Sequence, residues 1–433
     1  MKSGRCLYAG TLVVALLIGL GLWKPSHVKA NPDVSDAVPR FRVDPFWPKP
    51  LPATVGSDGV AHKWVTGEVA GSCTDANDNV YTFNRGFQSG GLVGQDATPA
   101  GAIPSPPVVA YSPDGRVIAA WGNPSLNPNG SNAYMPNGAH GCFVDYQGNL
   151  WVAGNGDGVV QKYHPGTVAA QGANATFVAQ IGTKGVCDGP CGETASTNSS
   201  TTLLNEPPDI AVDPKPDPVT GTPGSVYIAD GYGNHRVVVF TTTDGTHYTY
   251  NRQFGTKCAA AGFGKCGPGE FGATGGGHPH CVVLGNDDLV YACDRPDSRI
   301  EVFTKTGTFV KEIPIDNFPT ATDANKAAIL LAANRACDID FYPNIDYLAS
   351  ESPTSQKYIV NVDLQSDNTY LMDKASGAAL FGFGRCGLAP CPGHNAGEFA
   401  YGHMTNVDSQ GNVYISETIT GRRIQKFVRT NDN

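Results

Sequence analysis

One unit recurs six times along the chain: a short strand ending in an acidic turn, a second strand rich in Val, Tyr and Ile, then a polar loop and a third strand. The copies open at Ala70 (AGSCTD-ANDNVYTF), His140 (HGCFVD-YQGNLWVA), Pro208 (PDIAVD, an insert, SVYIAD), His280 (HCVVLG-NDDLVYACD), Arg335 (RACDID-FYPNIDYLAS) and His403 (HMTNVD-SQGNVYISE). Their landmarks Asp75, Asp145, Asp213, Gly285, Asp340 and Asp408 lie 70, 68, 72, 55 and 68 residues apart, room for four strands and a long loop each. A repeat of this size cannot bury its apolar faces alone and must stack on its neighbours. Six copies without a capping repeat predict radial closure, an all-β six-bladed β-propeller with a central channel, rather than an open solenoid. Helical periodicity is absent except over Thr322 to Ala336, where a helix is the one exception expected.

Residues 1–30 stand outside the repeats. Lys2 and Arg5 precede an uncharged stretch from Cys6 to Trp23, and Val28-Lys29-Ala30 supplies a small-residue cleavage site. This predicts a secretory signal peptide, an exported product in the periplasm or medium, and no stable membrane insertion after cleavage. The rival is a retained anchor, which the glycines within the apolar stretch disfavour. Cys6 begins that stretch rather than ending it, so it does not read as a lipid attachment site. Residues 31–433 show no linker or compositional break and are expected to form a single domain. Without Lys2, Arg5, Lys24 and Lys29, the 30 basic residues fall well short of the 39 acidic ones, a net charge of about −13 that argues against a nucleic-acid partner.

All of the 12 cysteines except Cys6 survive maturation, and export makes disulfides their expected state. Cys187 with Cys191, Cys258 with Cys266, and Cys386 with Cys391 are short-range staples in glycine-rich loops, and Cys281 with Cys293 can join the strands of one hairpin. No pair is matched by a second of like spacing, as a cysteine metal site would require. The odd number leaves at least one free thiol.

The residue five positions before each landmark runs Ala70, His140, Pro208, His280, Arg335, His403. Histidine at alternate blades of an even six-fold ring places three imidazoles about 120° apart on the channel axis. Three neutral imidazoles bind zinc and leave a fourth position open, the pattern of a catalytic site, although another divalent transition metal accepts the same set. His278, two residues before His280, is the nearest competitor. A carboxylate and an arginine also flank a turn in three copies, Asp230 with Arg236, Asp294 with Arg299, and Glu417 with Arg423, which reads as a structural ion pair.

These repeats resemble NHL-type propeller repeats and, more narrowly, the catalytic domain of peptidyl-α-hydroxyglycine α-amidating lyase, from about Phe41 to Phe427. The matching segments are AHGCFVD, PHCVVL and YGHMTNVD, which carry the three histidines, together with Phe83-Asn84-Arg85-Gly86 and Asp230-Gly231-Tyr232-Gly233-Asn234. The resemblance implies zinc held by His140, His280 and His403, with Tyr232 and Arg85 catalytic and Arg295 binding substrate. It implies a zinc-dependent lyase that cleaves a carbinolamide at the C–N bond, giving an amide and an aldehyde such as glyoxylate, on a small-molecule or peptide-derived substrate. Zinc would act as a Lewis acid on the hydroxyl, Tyr232 as general base, and an arginine would supply positive charge or pair with the carboxylate. Two departures stand out. The family's calcium ligand after the third histidine is Met404 here, so the resemblance does not carry a calcium site over, and the family's cysteine beside the tyrosine is Gly233. The competing expectation is a non-catalytic NHL propeller acting as a binding or scaffold module; a propeller lactonase ranks last, because no acidic set occupies the histidine column.

Overall fold

A computed structural model of the protein describes residues 38–86, 98–122, 135–165, 175–192, 197–260, 265–272, 276–315, 335–343, 356–364, 366–384 and 393–430. Among these residues every regular element is a strand, and no helix is long and apolar enough to cross a membrane. The expected helix over 322–336 falls almost wholly outside the described residues, as do the signal segment and the Cys386–Cys391 pair.

The strands form six four-stranded antiparallel sheets and two small ones. Sheets one to six are numbered here in the order of the repeats, and their first strands are Val69–Thr74, Ala139–Val144, Asp209–Asp213, Cys281–Leu284, Asp338–Tyr342 and Gly402–Val407. These first strands and their immediate partners are buried nearly throughout, so the partners carry large apolar side chains, as in VYTF of Val80–Asn84 and VYI of Val413–Glu417, with the polar residues among them buried too. The outermost strands, such as Thr249–Phe254, are half exposed.

The core is distributed between the sheets. Trp121 and Phe83 of sheet one pack with Leu150 and Val152 of sheet two, and Trp151 of sheet two with Ile210 and Ile228 of sheet three. Tyr227 meets Val290, Tyr291 meets Phe341, and Val362 meets Ile415, carrying the stacking through sheets four, five and six. Tyr414 and Ile424 of sheet six then pack with Val69 and Val109 of sheet one, so the last sheet returns to the first. The fourth strand of sheet six, Arg40–Val43, comes from the beginning of the described chain and pairs with Arg423–Thr430, which ties the two ends together. Radially stacked sheets of this kind make a β-propeller.

The sequence reading of the fifth copy needs one correction. The strand that pairs with Asp338–Tyr342 is Tyr358–Asp363, and the segment IDYLAS from Ile345, read as the second strand of this copy, lies outside the described residues. Sequence proximity had stood in for hydrogen-bond register in choosing that partner.

Four disulfides are present among the described residues. Cys187–Cys191, Cys258–Cys266 and Cys281–Cys293 are as expected, while Cys73–Cys142 joins the first strands of sheets one and two and was not foreseen. Cys337 is a buried free thiol. The four bridges fit an oxidising compartment. Each expected turn ion pair also forms: Arg236 to Asp230 at 2.9 Å, Arg299 to Asp294 at 3.1 Å, and Arg423 to Glu417 at 2.8 Å.

Candidate metal centre

His140 and His403 are the second residues of the first strands of sheets two and six, and His280 directly precedes that of sheet four. The three side chains converge, with ring centroids 4.9, 4.6 and 5.0 Å apart and one ligand nitrogen from each within 4.8 Å of the others. All three are buried.

What orients them is a carbonyl from the following sheet. His140 Nδ1 lies 2.9 Å from Pro208 O, His280 Nδ1 2.6 Å from Cys337 O, and His403 Nδ1 2.6 Å from Ala70 O. A carbonyl can only accept, so each Nδ1 carries the proton and each Nε2 keeps its lone pair. Ligating histidines are characteristically oriented through this kind of bond. Two of the three carbonyls belong to Ala70 and Pro208, the positions of the repeat column that hold no histidine. Reading the column by side chain hid this role, and the third carbonyl, from Cys337, lies two residues past the column position Arg335.

Close approach of the strands makes the bonds possible. A Cβ at Gly71 would lie 1.9 Å from His140 O, and one at Gly141 2.5 Å from Pro208 O, so both positions need glycine. Burial is the main cause that pushes the His140 and His280 imidazoles well below their usual range and His403 down to about 3. The positive charge of Arg85 and Arg295 acts in the same direction. The triad is therefore neutral at physiological pH, the form that binds a metal. Three neutral, buried, pre-oriented imidazoles fit a zinc-type ion.

Tyr232 stands over the triad, its hydroxyl 3.4 Å from His140 Nε2 and 3.2 Å from His280 Nε2. Arg295 Nη1 donates to that hydroxyl at 3.0 Å, and the guanidinium lies over the ring at 5.4 Å. Gly231 O accepts from Gly277 N at 2.9 Å and His278 N at 2.8 Å, which fastens the tyrosine turn to the segment carrying His280. Arg85 is close enough to bear on all three histidines, but its guanidinium is engaged by Ala139 O at 2.9 Å, Gly138 O at 3.3 Å, Asn155 Oδ1 at 3.0 Å and Glu68 at 3.3 Å. It thereby holds the backbone leading into His140. His278 is set apart from the triad: it pairs with Asp294 at 2.5 Å and stacks on His235.

Fold and site together define an NHL-like propeller with a buried three-histidine cluster, resembling the amidating-lyase domain. In sequence the chain is similar to peptidylglycine alpha-amidating monooxygenase of Rattus norvegicus, 27% identical over 266 residues that make up 58% of this chain and 22% of that protein. It is likewise similar to peptidyl-glycine alpha-amidating monooxygenase B of Xenopus laevis, 25% identical over 269 residues, 58% of this chain and 25% of that protein. The chain thus spans about a quarter of the length of these curated relatives. No family model matches it. Among solved structures, a Bacteroides thetaiotaomicron protein of unknown function shares the fold with a TM-score of 0.50 at 15% identity, over 92% of this chain and 78% of that one.

Proposed function

We propose that the chain is an exported six-bladed propeller whose central channel holds one zinc ion at His140, His280 and His403, and that it is a lyase acting on a carbinolamide. The observation that carries this reading is the Tyr232 hydroxyl, held by Arg295 within 3.4 Å of two imidazole Nε2 atoms that face one point. A metal there supplies Lewis acidity that favours loss of a hydroxyl proton. The substrate, HO–CH(COO⁻)–NH–CO–R, must lose its hydroxyl proton as the C–N bond breaks and gain one on the departing nitrogen. Tyr232 is placed to take the first proton and return it to the departing nitrogen, so that glyoxylate and the primary amide of the R–CO group form with no net proton exchange. Arg295 holds the phenol in place and offers positive charge where a substrate carboxylate would lie. Arg85 keeps the His140 strand in register. The substrate is a small or peptide-derived molecule, in keeping with the acidic chain and the buried centre.

α-Hydroxyhippurate is the test substrate. The purified protein with about one zinc per chain should release benzamide and glyoxylate; Tyr232→Phe should slow this at least 100-fold, about 3 kcal/mol of barrier, without loss of metal. Equal turnover by Tyr232→Phe would remove the tyrosine from the chemistry. A protein that takes up no transition metal would remove the centre.

A further inference from the structure

The turns that follow the first strands do not all meet their neighbours in the same way. In sheets one, two and six the turn has one build, in which the landmark carboxylate accepts from the backbone two and four residues on. Asp75 accepts from Asn77 N and Asn79 N, Asp145 from Gln147 N and Asn149 N, and Asp408 from Gln410 N and Asn412 N, all at 2.7 to 3.0 Å. Two junctions are closed by a bond from one turn to the next. Ser409 N and Oγ donate to Asp78 at 2.8 Å between sheets six and one, and Lys215 pairs with Asp288 at 2.8 Å between sheets three and four. Between sheets two and three the insert 214–224 takes that place, and a cleft of about 500 Å³ opens between its end, the turn of sheet two and the outer hairpin of sheet three. Asp145 lies five residues beyond His140, so the cleft is about 17 Å along the inner strand from the histidines, at its other end.

The side chain that stands out in this cleft is Tyr146. The same turn carries Ala76 in sheet one and Ser409 in sheet six, so the fold does not call for an aromatic there. Tyr146 is nevertheless 40% exposed. A Cβ at Gly224 would lie 3.3 Å from its hydroxyl oxygen, so the ring reaches across to the end of the insert. Both walls are rigid: the turn is fixed by the Asp145 bonds, and Tyr248 of the facing hairpin sits edge-on to Trp151 at 5.3 Å.

The charged groups that line the cleft are already engaged within the protein. Lys162 Nζ donates to Gly245 O at 3.0 Å and to the Tyr248 hydroxyl at 3.2 Å, with Asp145 at 3.8 Å. Asp145 also accepts from Asn149 Nδ2 and Trp151 Nε1. Asp244 accepts from Thr246 N and His247 N at 2.8 Å and pairs with His247 Nδ1 at 2.7 Å. A charged ligand would find no free counter-ion here. What remains available is neutral: the Tyr146 phenol, the Gln147 amide and the Thr243 hydroxyl, none of which has a side-chain hydrogen bond among the described residues.

We propose that this cleft binds a neutral saccharide of disaccharide size, with a C–H face of the sugar on the Tyr146 ring and its hydroxyls on Gln147, Thr243 and the Tyr146 phenol. A saccharide combines apolar C–H faces with hydroxyls that both donate and accept, and an aromatic ring beside an amide and a hydroxyl answers both needs. The volume lies in the range of small-molecule sites, and rigid walls lower the ordering cost of binding. The site does not depend on the proposed lyase activity.

The test titrates the whole protein with cellobiose, maltose and N,N′-diacetylchitobiose, and with glucose 6-phosphate as the charged comparator, read by saturation-transfer NMR of the sugar. At least one of the disaccharides should bind with a Kd of about 1 mM or below, and glucose 6-phosphate about ten-fold more weakly or not at all. Tyr146→Ala should weaken the disaccharide about ten-fold and, the side chain being exposed, leave the melting temperature within about 2 °C. Tyr146→Phe keeps the ring and should cost no more than about three-fold, as should Gln147→Ala. His140→Ala should lose the metal and keep the sugar, which separates the two sites. No binding of any of the disaccharides at about 20 mM, tighter binding of glucose 6-phosphate, or undiminished binding to Tyr146→Ala would overturn the proposal.

Discussion

The paired turns of sheets three and six allow burial to be isolated as the variable in one experiment. Both carry the same carboxylate–arginine bond, yet the Arg236 side chain is 0% exposed and that of Arg423 is 23% exposed. Changing the acid to its amide, Asp230→Asn or Glu417→Gln, keeps size and one acceptor oxygen while deleting the negative charge. In sheet three this leaves a guanidinium shut away from water, still bonded to Ser200 O, Leu203 O and Gln253 Oε1 and, among the described residues, with Asp188 at 3.4 Å as its one remaining carboxylate. Breaking a fully buried pair costs about 3–5 kcal/mol, and the residual Asp188 contact places Asp230→Asn near the lower end, about 3 kcal/mol. In sheet six Arg423 keeps carbonyl bonds to His394, Gly393 and Glu398 and can be hydrated. Burial already raises the Glu417 carboxyl above its usual range, with Arg423 opposing, so neutralising it should cost only about 1 kcal/mol. Urea unfolding followed by fluorescence should show the midpoint falling about three times as far for Asp230→Asn as for Glu417→Gln, at unchanged slope. Equal losses, or a larger loss in sheet six, would refute the claim that burial rather than the pairing itself sets the cost.

Further outcomes follow from single side chains. Asp367 is buried and its carboxyl is pushed up to about 7, mainly by burial. An acid raised on folding costs stability as pH rises from its unfolded value near 4 through its folded value, so Asp367→Asn should be neutral at pH 4 and stabilising by at most about 4 kcal/mol at pH 8, read from paired urea melts. Cys73→Ser with Cys142→Ser opens a bridge spanning 69 residues and should cost about 4 kcal/mol by the chain-entropy relation, while α-hydroxyhippurate turnover at low temperature persists. The Cys337 thiol, pushed up to about 12 chiefly by burial, should resist iodoacetamide in the native protein and react after unfolding, as judged by mass spectrometry of its peptide.

Much of the site was legible because repetition supplies its own alignment. The column that contains His140, His280 and His403 exists in the sequence, and the structure brings those three rings to within 5.0 Å of one another. Tyr232 and Arg295 were flagged by local segments and do meet over the triad. Arg85 was flagged too, and its bonds to Ala139 O, Gly138 O and Asn155 Oδ1 are contacts between sheets that no motif states. The short-range disulfides were read from spacing alone, because a bridge within one loop needs only local geometry.

The sequence by itself determined the number of repeats, the first strand of each, the turn ion pairs and the histidine column, since these depend on residue type and period within one unit. Tertiary structure decided everything that crosses between units. Cys73 meets Cys142, and Ala70 and Pro208 offer carbonyls to His403 and His140, only because the sheets stack until the last returns to the first. The physical reason is that neighbours across sheets are set by the strand register and by how closely glycines such as Gly71 and Gly141 let backbones approach. Neither leaves a periodic signal in the chain.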